Sequence, residues 1–149
     1  MKKILLIIVL FLGVNLVKAQ SNSENEEGVK KACLNYLEGF YEGDTVKLKA
    51  AIVPKMYKIG YWKGRGDTSH KFDNQMTFEA AVKYSLNVKA SGKFAPESAP
   101  KEVKIFEVGE HIAAAKVVAW WGTDYLLLSK EHGKWMIEEV IWEGPLPKN

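Results

Sequence analysis

Four stretches rich in strand formers follow one another in the last third of the chain: "KEVKIFEV" (101–108), "HIAAAKVVAWW" (111–121), "DYLLLSK" (124–130) and "KWMIEEVIW" (134–142). The links between them are short and carry glycine: Gly109-Glu110, Gly122-Thr123 and His132-Gly133. Links of this kind join antiparallel neighbours, because a parallel crossover needs a dozen residues or more. An antiparallel meander is therefore written into this region, and whatever precedes it has to pack on one of its faces.

Register follows from the turns. With a two-residue turn at Gly122-Thr123, Trp121 pairs with Asp124; with another at His132-Gly133, Leu128 faces Ile137 and Asp124 faces Ile141. Side chains alternate along a strand, so Ala115, Val117, Ala119, Trp121, Asp124, Leu126, Leu128, Trp135, Ile137, Glu139 and Ile141 share one predicted face. Val118, Trp120, Tyr125, Leu127, Val140 and Trp142 fall on the other. Both are largely apolar, so one is expected to meet helices and the other a second subunit.

The helices lie upstream. Ser23-Glu24-Asn25-Glu26 reads as a capping box, and Val29, Cys33, Tyr36, Leu37, Phe40 and Tyr41 then recur at helical spacing. Gly43 stops that helix. Asp44 caps a second, shorter one that runs to about Ile52, with Pro54 barring continuation. "KMYKIGYW" (55–62) reads as a half-buried strand through Met56, Ile59 and Tyr61. A polar loop with a short return strand at His70–Phe72 follows. Thr77 caps a third helix with the stripe Phe78, Ala81, Val82, Ser85 and Leu86; "ASGKFAPESAP" (90–100) is a linker. Helices first and strands last is an α+β layout. A twisted sheet wrapped around three helices leaves a cone open at one end, and Asp124, at a strand terminus, belongs to that rim.

The opening segment "MKKILLIIVLFLGVNLVKAQ" has a basic start (Lys2, Lys3), an apolar run Ile4–Leu12 and a small-residue site at Val17-Lys18-Ala19, the pattern of a secretory signal cut after Ala19. The run is short for a bilayer span of about 20 residues. No Cys follows the site to take a lipid. Residues 20–149 then form a single domain, secreted or periplasmic, with no membrane association after cleavage. Loss of Lys2, Lys3 and Lys18 takes the 21 basic residues level with the 18 acidic ones, which leaves no basic footprint for nucleic acid. The single cysteine excludes an internal disulfide, and Cys33, on an apolar stripe, reads as a core thiol.

For chemistry, Asp124 and Glu139 on one face bring two carboxylates close enough for one to raise the other's pKa. A carboxylate so tuned abstracts a proton next to a carbonyl; the competing reading is that Asp124 caps a hairpin and Glu139 is solvated. Tyr36, Tyr61, Trp120, Tyr125 and Trp142 offer planes for an aromatic ligand, against the alternative of plain core packing. His70 becomes an acid or base if its loop folds over the mouth, while His111 and His132 sit at turns. No Cys, His and acid spacing suits a metal. "GRGD" (64–67) lacks the lysine and helix of a phosphate cradle.

The segments "YLEGFYEGD" (36–44), "MTFEAAVKY" (76–84), "APKEVKIFEV" (99–108) and "TDYLLLSKEHGKWMIEEVIWE" (123–143) resemble the putative lumazine-binding family of the nuclear transport factor 2-like superfamily, whose relatives include ketosteroid isomerase and the polyketide cyclases. The resemblance implies an α+β cone, a curved antiparallel sheet around three N-terminal helices, and a homodimer through the sheet face. Glu139 stands where many relatives carry Asn, and Val53 where some carry His. The expectation is a secreted protein that binds a small aromatic or heterocyclic molecule without a cofactor. The alternative is an isomerase, dehydratase or cyclase with a pocket carboxylate as base.

Overall fold

Helix α1 (23–41) opens the part of the chain, residues 23–147, that the computed structural model describes. The signal segment expected at 1–19 lies outside the described residues. Val29, Cys33, Tyr36, Leu37, Phe40 and Tyr41 are all buried, as their spacing predicts. Ser23 is helical where the described residues begin, so the start of this helix, with its cap, lies outside them. Gly43 adopts φ +65°, and a Cβ there would lie 2.5 Å from the Lys89 nitrogen, so conformation and space both demand glycine.

Asp44 then caps α2 (Thr45–Ala51), its carboxylate accepting from the Val46 and Lys47 nitrogens at 2.9 and 3.0 Å. Strand β1 (Ile52–Trp62) follows at once, and its ladder to the neighbouring strand is irregular between Ile52 and Tyr57, where Pro54 has no N–H to offer. The return strand β2 (Lys71–Met76) is longer than the three residues predicted. Thr77 caps α3 (Phe78–Ser91), which buries Ala81, Ser85 and Val88 but leaves Leu86 exposed. The meander is β3 (Glu102–Val108), β4 (Ile112–Ala119), β5 (Gly122–Glu131) and β6 (Lys134–Gly144).

These six strands form one sheet in the order β2-β1-β6-β5-β4-β3. It is curved and unclosed, with the helices in its hollow, and the α+β cone expected from the sequence stands. One pairing departs from the antiparallel expectation: β1 runs parallel to β6. The two are far apart in sequence, so no tight turn dictates their relative direction.

Two details of register decide which residues face inward. The β4–β5 turn is Trp120-Trp121 rather than Gly122-Thr123, with Ala119 opposite Gly122 and Val117 opposite Asp124. The displacement is even, so Asp124 stays on the predicted inner face. The second detail has the opposite effect. His132 (φ 51°) and Gly133 (φ 77°) make the predicted turn, and Leu128 pairs with Ile137. A bulge then intervenes: Leu127 pairs with Glu139, Leu126 with Val140 and Asp124 with Trp142. One extra residue reverses every side chain beyond it. Val140 and Trp142 therefore turn inward, while Glu139 and Ile141 turn outward, contrary to the simple alternation.

Candidate functional site

Asp124 is the third residue of β5 and is completely buried. Its environment explains how a carboxylate survives there. Oδ2 accepts from the Tyr36 hydroxyl at 2.5 Å and from Lys58 Nζ at 2.9 Å; Oδ1 accepts from the Trp121 indole N–H at 2.7 Å. Lys58 Nζ also donates to the Tyr36 oxygen at 2.7 Å, closing a triangle of lysine, tyrosine and aspartate. A buried charge is tolerated only when it is paired and its hydrogen-bonding capacity used, and here both conditions hold.

Each member arrives from a different element. Tyr36 comes from the apolar stripe of α1. Trp121 comes from the β4–β5 turn, and Lys58 from the centre of β1, whose inward positions are Met56, Lys58, Gly60 and Trp62. The lysine head lies near three aromatic rings, 5.3 Å from the centre of Trp142, 5.5 Å from Tyr36 and 5.9 Å from Trp121. Gly60 allows this: a Cβ there would fall 2.3 Å from the Trp142 indole.

The electrostatics follow from burial. Desolvation pushes the Tyr36 hydroxyl well above its ordinary value, and the charge of Asp124 and its hydrogen bond add to the effect. Desolvation also pulls the Lys58 ammonium below its ordinary value, against the opposing pull of Asp124 and, more weakly, Asp73. Burial likewise lifts the Cys33 thiol to about 12, which makes it an inert core group.

Above this triangle opens a cavity of about 230 Å³ lined by Phe40, Lys58, Trp62, Asp73, Met76, Tyr84, Trp120, Trp121 and Trp142. Its walls are mutually braced, with Phe40 edge-on to Tyr84 and to Trp121, Trp120 edge-on to Trp121, and Trp62 tilted against Trp142. The charged groups on its lining are Lys58 at the floor and the exposed Asp73 of β2 at the rim. The arrangement offers aromatic planes for stacking and one ammonium donor at the base.

The residues singled out from sequence divide. Trp120 and Trp142 line the cavity, and Tyr36 and Asp124 lie beneath its floor. Tyr61 and Tyr125 point to the outer face, where Tyr61 meets Phe72 edge-on and Tyr125 stacks on Phe106. Glu139 is on that outer face as well, so it does not meet Asp124. His70 is exposed in the loop before β2 and is not among the lining residues. Among the described residues no group of three His, Cys, Asp or Glu side chains is placed to hold a metal.

Sequence reasoning missed Lys58, together with Trp62, Asp73, Met76 and Tyr84. A signal existed for the lysine. It shares its parity with Met56, Gly60 and Trp62, so placing Met56 inward puts Lys58 inward too. Reading Ile59 and Tyr61 as the inward pair hid it.

The model of the family described as putative lumazine-binding matches residues 24–143. The chain belongs to the putative lumazine-binding family. Comparison with curated proteins finds no match. Among solved structures, the chain is similar to a nuclear transport factor 2-like protein of unknown function from Silicibacter pomeroyi, at 16% identity over 81% of this chain and 96% of that one, with a TM-score of 0.59. It is also similar to a nuclear transport factor 2-like protein with a cystatin-like fold from Novosphingobium aromaticivorans, at 11% identity over 87% and 88% of the two chains (TM-score 0.62). A protein described as a putative scytalone dehydratase from the same organism is 13% identical over 83% and 86%, with a TM-score of 0.52. At these identities the likeness establishes the nuclear transport factor 2-like fold of this family member, and its chemistry has to be read from the site.

Proposed function

We infer that this family member is a small-molecule-binding protein that takes a small planar aromatic or heterocyclic compound into the cone. The observation that carries this reading is a chamber walled by four tryptophans with one buried ammonium, Lys58, at its base. At about 230 Å³ the chamber lies just below the usual range for ligand pockets, roughly 300–1,000 Å³, which favours a guest of one or two rings. A ring stacked on Trp142 or Trp120 would present an oxygen to the lysine, gaining a charge-assisted hydrogen bond.

The reading includes export through the opening segment, which leaves the protein outside the cytoplasmic membrane, and a homodimer through the outer sheet face. Tyr57, Tyr61, Phe72, Phe106, Tyr125, Leu127 and Ile141 are all exposed there, an apolar surface that a second copy would cover. The alternative of an isomerase or dehydratase with a carboxylate base has less behind it. Asp124 has both oxygens engaged by three donors, and Glu139 faces away from the chamber.

The test is a titration of pterins, flavins and simple aromatic acids followed by tryptophan fluorescence and thermal shift, with native mass spectrometry of the purified protein for a retained guest. Binding should quench the chamber tryptophans and be lost in Trp142→Ala. A panel that neither quenches nor stabilises, in protein that carries no guest, would sink the reading. Sedimentation at high concentration checks the dimer, and a monomer there removes it.

A further inference from the structure

Lys58 is the chemically reactive group on the cavity lining, and the binding reading gives it only a hydrogen bond to make. Its surroundings suit more. The amine sits at the floor of an aromatic chamber and is itself 5% exposed, so a guest that reaches it does so largely without water. The Tyr36 hydroxyl lies 2.7 Å away, close enough to pass a proton to or from whatever the nitrogen attacks. Asp124 lies beneath as a fixed counter-charge, and Trp142 and Trp121 turn toward a cation at that point.

We propose that Lys58 captures aromatic aldehydes as an imine at the base of this cavity, with Tyr36 as proton relay and Asp124 as counter-ion to the iminium. This rests on the binding reading for its site. Lys58 first gives one proton along its hydrogen bond to Asp124. The neutral amine's lone pair attacks the carbonyl carbon, and a C–N bond forms as the C=O π pair moves to oxygen. That oxygen takes a proton from the nitrogen through Tyr36, giving the carbinolamine. Asp124 returns its proton through Tyr36 to the carbinolamine hydroxyl, the C–O bond breaks, water leaves, and the nitrogen lone pair completes the C=N bond. Overall, an ammonium and an aldehyde become an iminium and water, so the charge facing Asp124 is one positive unit before and after. The iminium keeps an N–H for the aspartate, so the buried pair is not broken. Burial, by disfavouring the charged amine, raises the share of reactive free base relative to an exposed lysine. The aromatic walls select the carbonyl partner: a single-ring aldehyde stacks on Trp142 with its carbonyl over the nitrogen, while a polar sugar aldehyde meets mostly aromatic surface, with Asp73 at the rim as a polar partner.

The experiment incubates the purified protein with benzaldehyde or cinnamaldehyde and sodium cyanoborohydride, which reduces an imine to a stable secondary amine. Intact mass and peptide mapping follow, with tryptophan quenching by the same aldehydes, without reductant, as a separate measure of binding. The expected result is one adduct on the peptide holding Lys58, lost in Lys58→Arg, which keeps the charge over Asp124 and serves if Lys58→Met does not fold. Tyr36→Phe should give the same adduct more slowly; an unchanged rate would remove Tyr36 as relay. Quenching without an adduct would overturn the imine and leave the binding site standing. Neither quenching nor adduct would overturn both. Label spread over exposed lysines, or undiminished in folded Lys58→Arg, would also defeat the proposal.

Discussion

Toward one end of the inner sheet face, Leu128 and Ile137 pair across β5 and β6 within an apolar core that includes Val29 and Cys33 of α1. Further along the same two strands, Asp124 and Trp142 pair, and Asp124 holds Lys58, Tyr36 and Trp121. The first region buries mostly apolar side chains against one another. The second uses side chains whose positions are dictated by hydrogen-bond geometry, so they do not collapse on one another and a cavity remains. Stability comes from packing at one end and from charge compensation at the other. The comparison teaches where a cavity forms: at the end whose side chains are held apart by polar constraints.

Breaking the charged end should have the largest effect. Asp124→Ala leaves the Lys58 ammonium buried without its counter-charge and should cost about 4 kcal/mol. The shift of the urea midpoint measures it, and a loss under about 1 kcal/mol would show that the carboxylate does not neutralise the lysine. At the packed end, Ile137→Ala removes a fully buried side chain and should cost about 3 kcal/mol while leaving guest affinity unchanged. If affinity falls as well, the two ends are not separate.

Gly60→Ala sharpens the contrast from the cavity side. Its new methyl would meet the Trp142 indole, and moving that ring should cost about 2 kcal/mol and alter both the tryptophan emission and guest affinity. Next in size is Tyr36→Phe, which removes a hydrogen bond to a charged partner worth about 1.5 kcal/mol. It also carries a pH signature. The folded protein keeps the Tyr36 hydroxyl protonated well above its ordinary 10.0, whereas the unfolded chain ionises it near that value. Its stabilising contribution is therefore full below pH 10 and drains away as the pH rises above it. Melting temperatures should decline less steeply above pH 10 in Tyr36→Phe than in the parent. The smallest effect belongs to Glu139→Gln on the outer face, within about 0.5 kcal/mol and with no change in guest binding. A marked loss of binding there would put Glu139 back at the cavity.

Much of this was legible from residue order. The stripe of α1, the cap at Asp44, the stop at Gly43 and the positive φ of His132-Gly133 are local events, and each occurs where its chemistry predicts. Within "YLEGFYEGD" (36–44), Tyr36 joins the buried triangle while the two glycines are architectural. A Cβ on Gly39 would lie 2.6 Å from that of Leu48, so this glycine sets how closely α1 and α2 approach. Asp124 does face inward, but it lies buried beneath the cavity floor and not at the expected rim, because Lys58, Tyr36 and Trp121 close over it. What escaped was non-local. The bulge after Ile137 sends Glu139 outward and Trp142 inward, and the parallel docking of β1 on β6 brings Lys58 beneath Trp142.

By itself, then, the order of residues determined a meander behind three helices and the family to which the chain belongs. Those depend on turn chemistry and side-chain periodicity, which operate over a few residues at a time. Only the tertiary structure decided that Asp124 is neutralised by a lysine 66 residues away and that the tryptophans enclose a space above that pair. Charge pairing in a dry interior is a property of distance in three dimensions. A single bulge, invisible to alternation, is enough to exchange the side chains that face the cavity for those that face solvent.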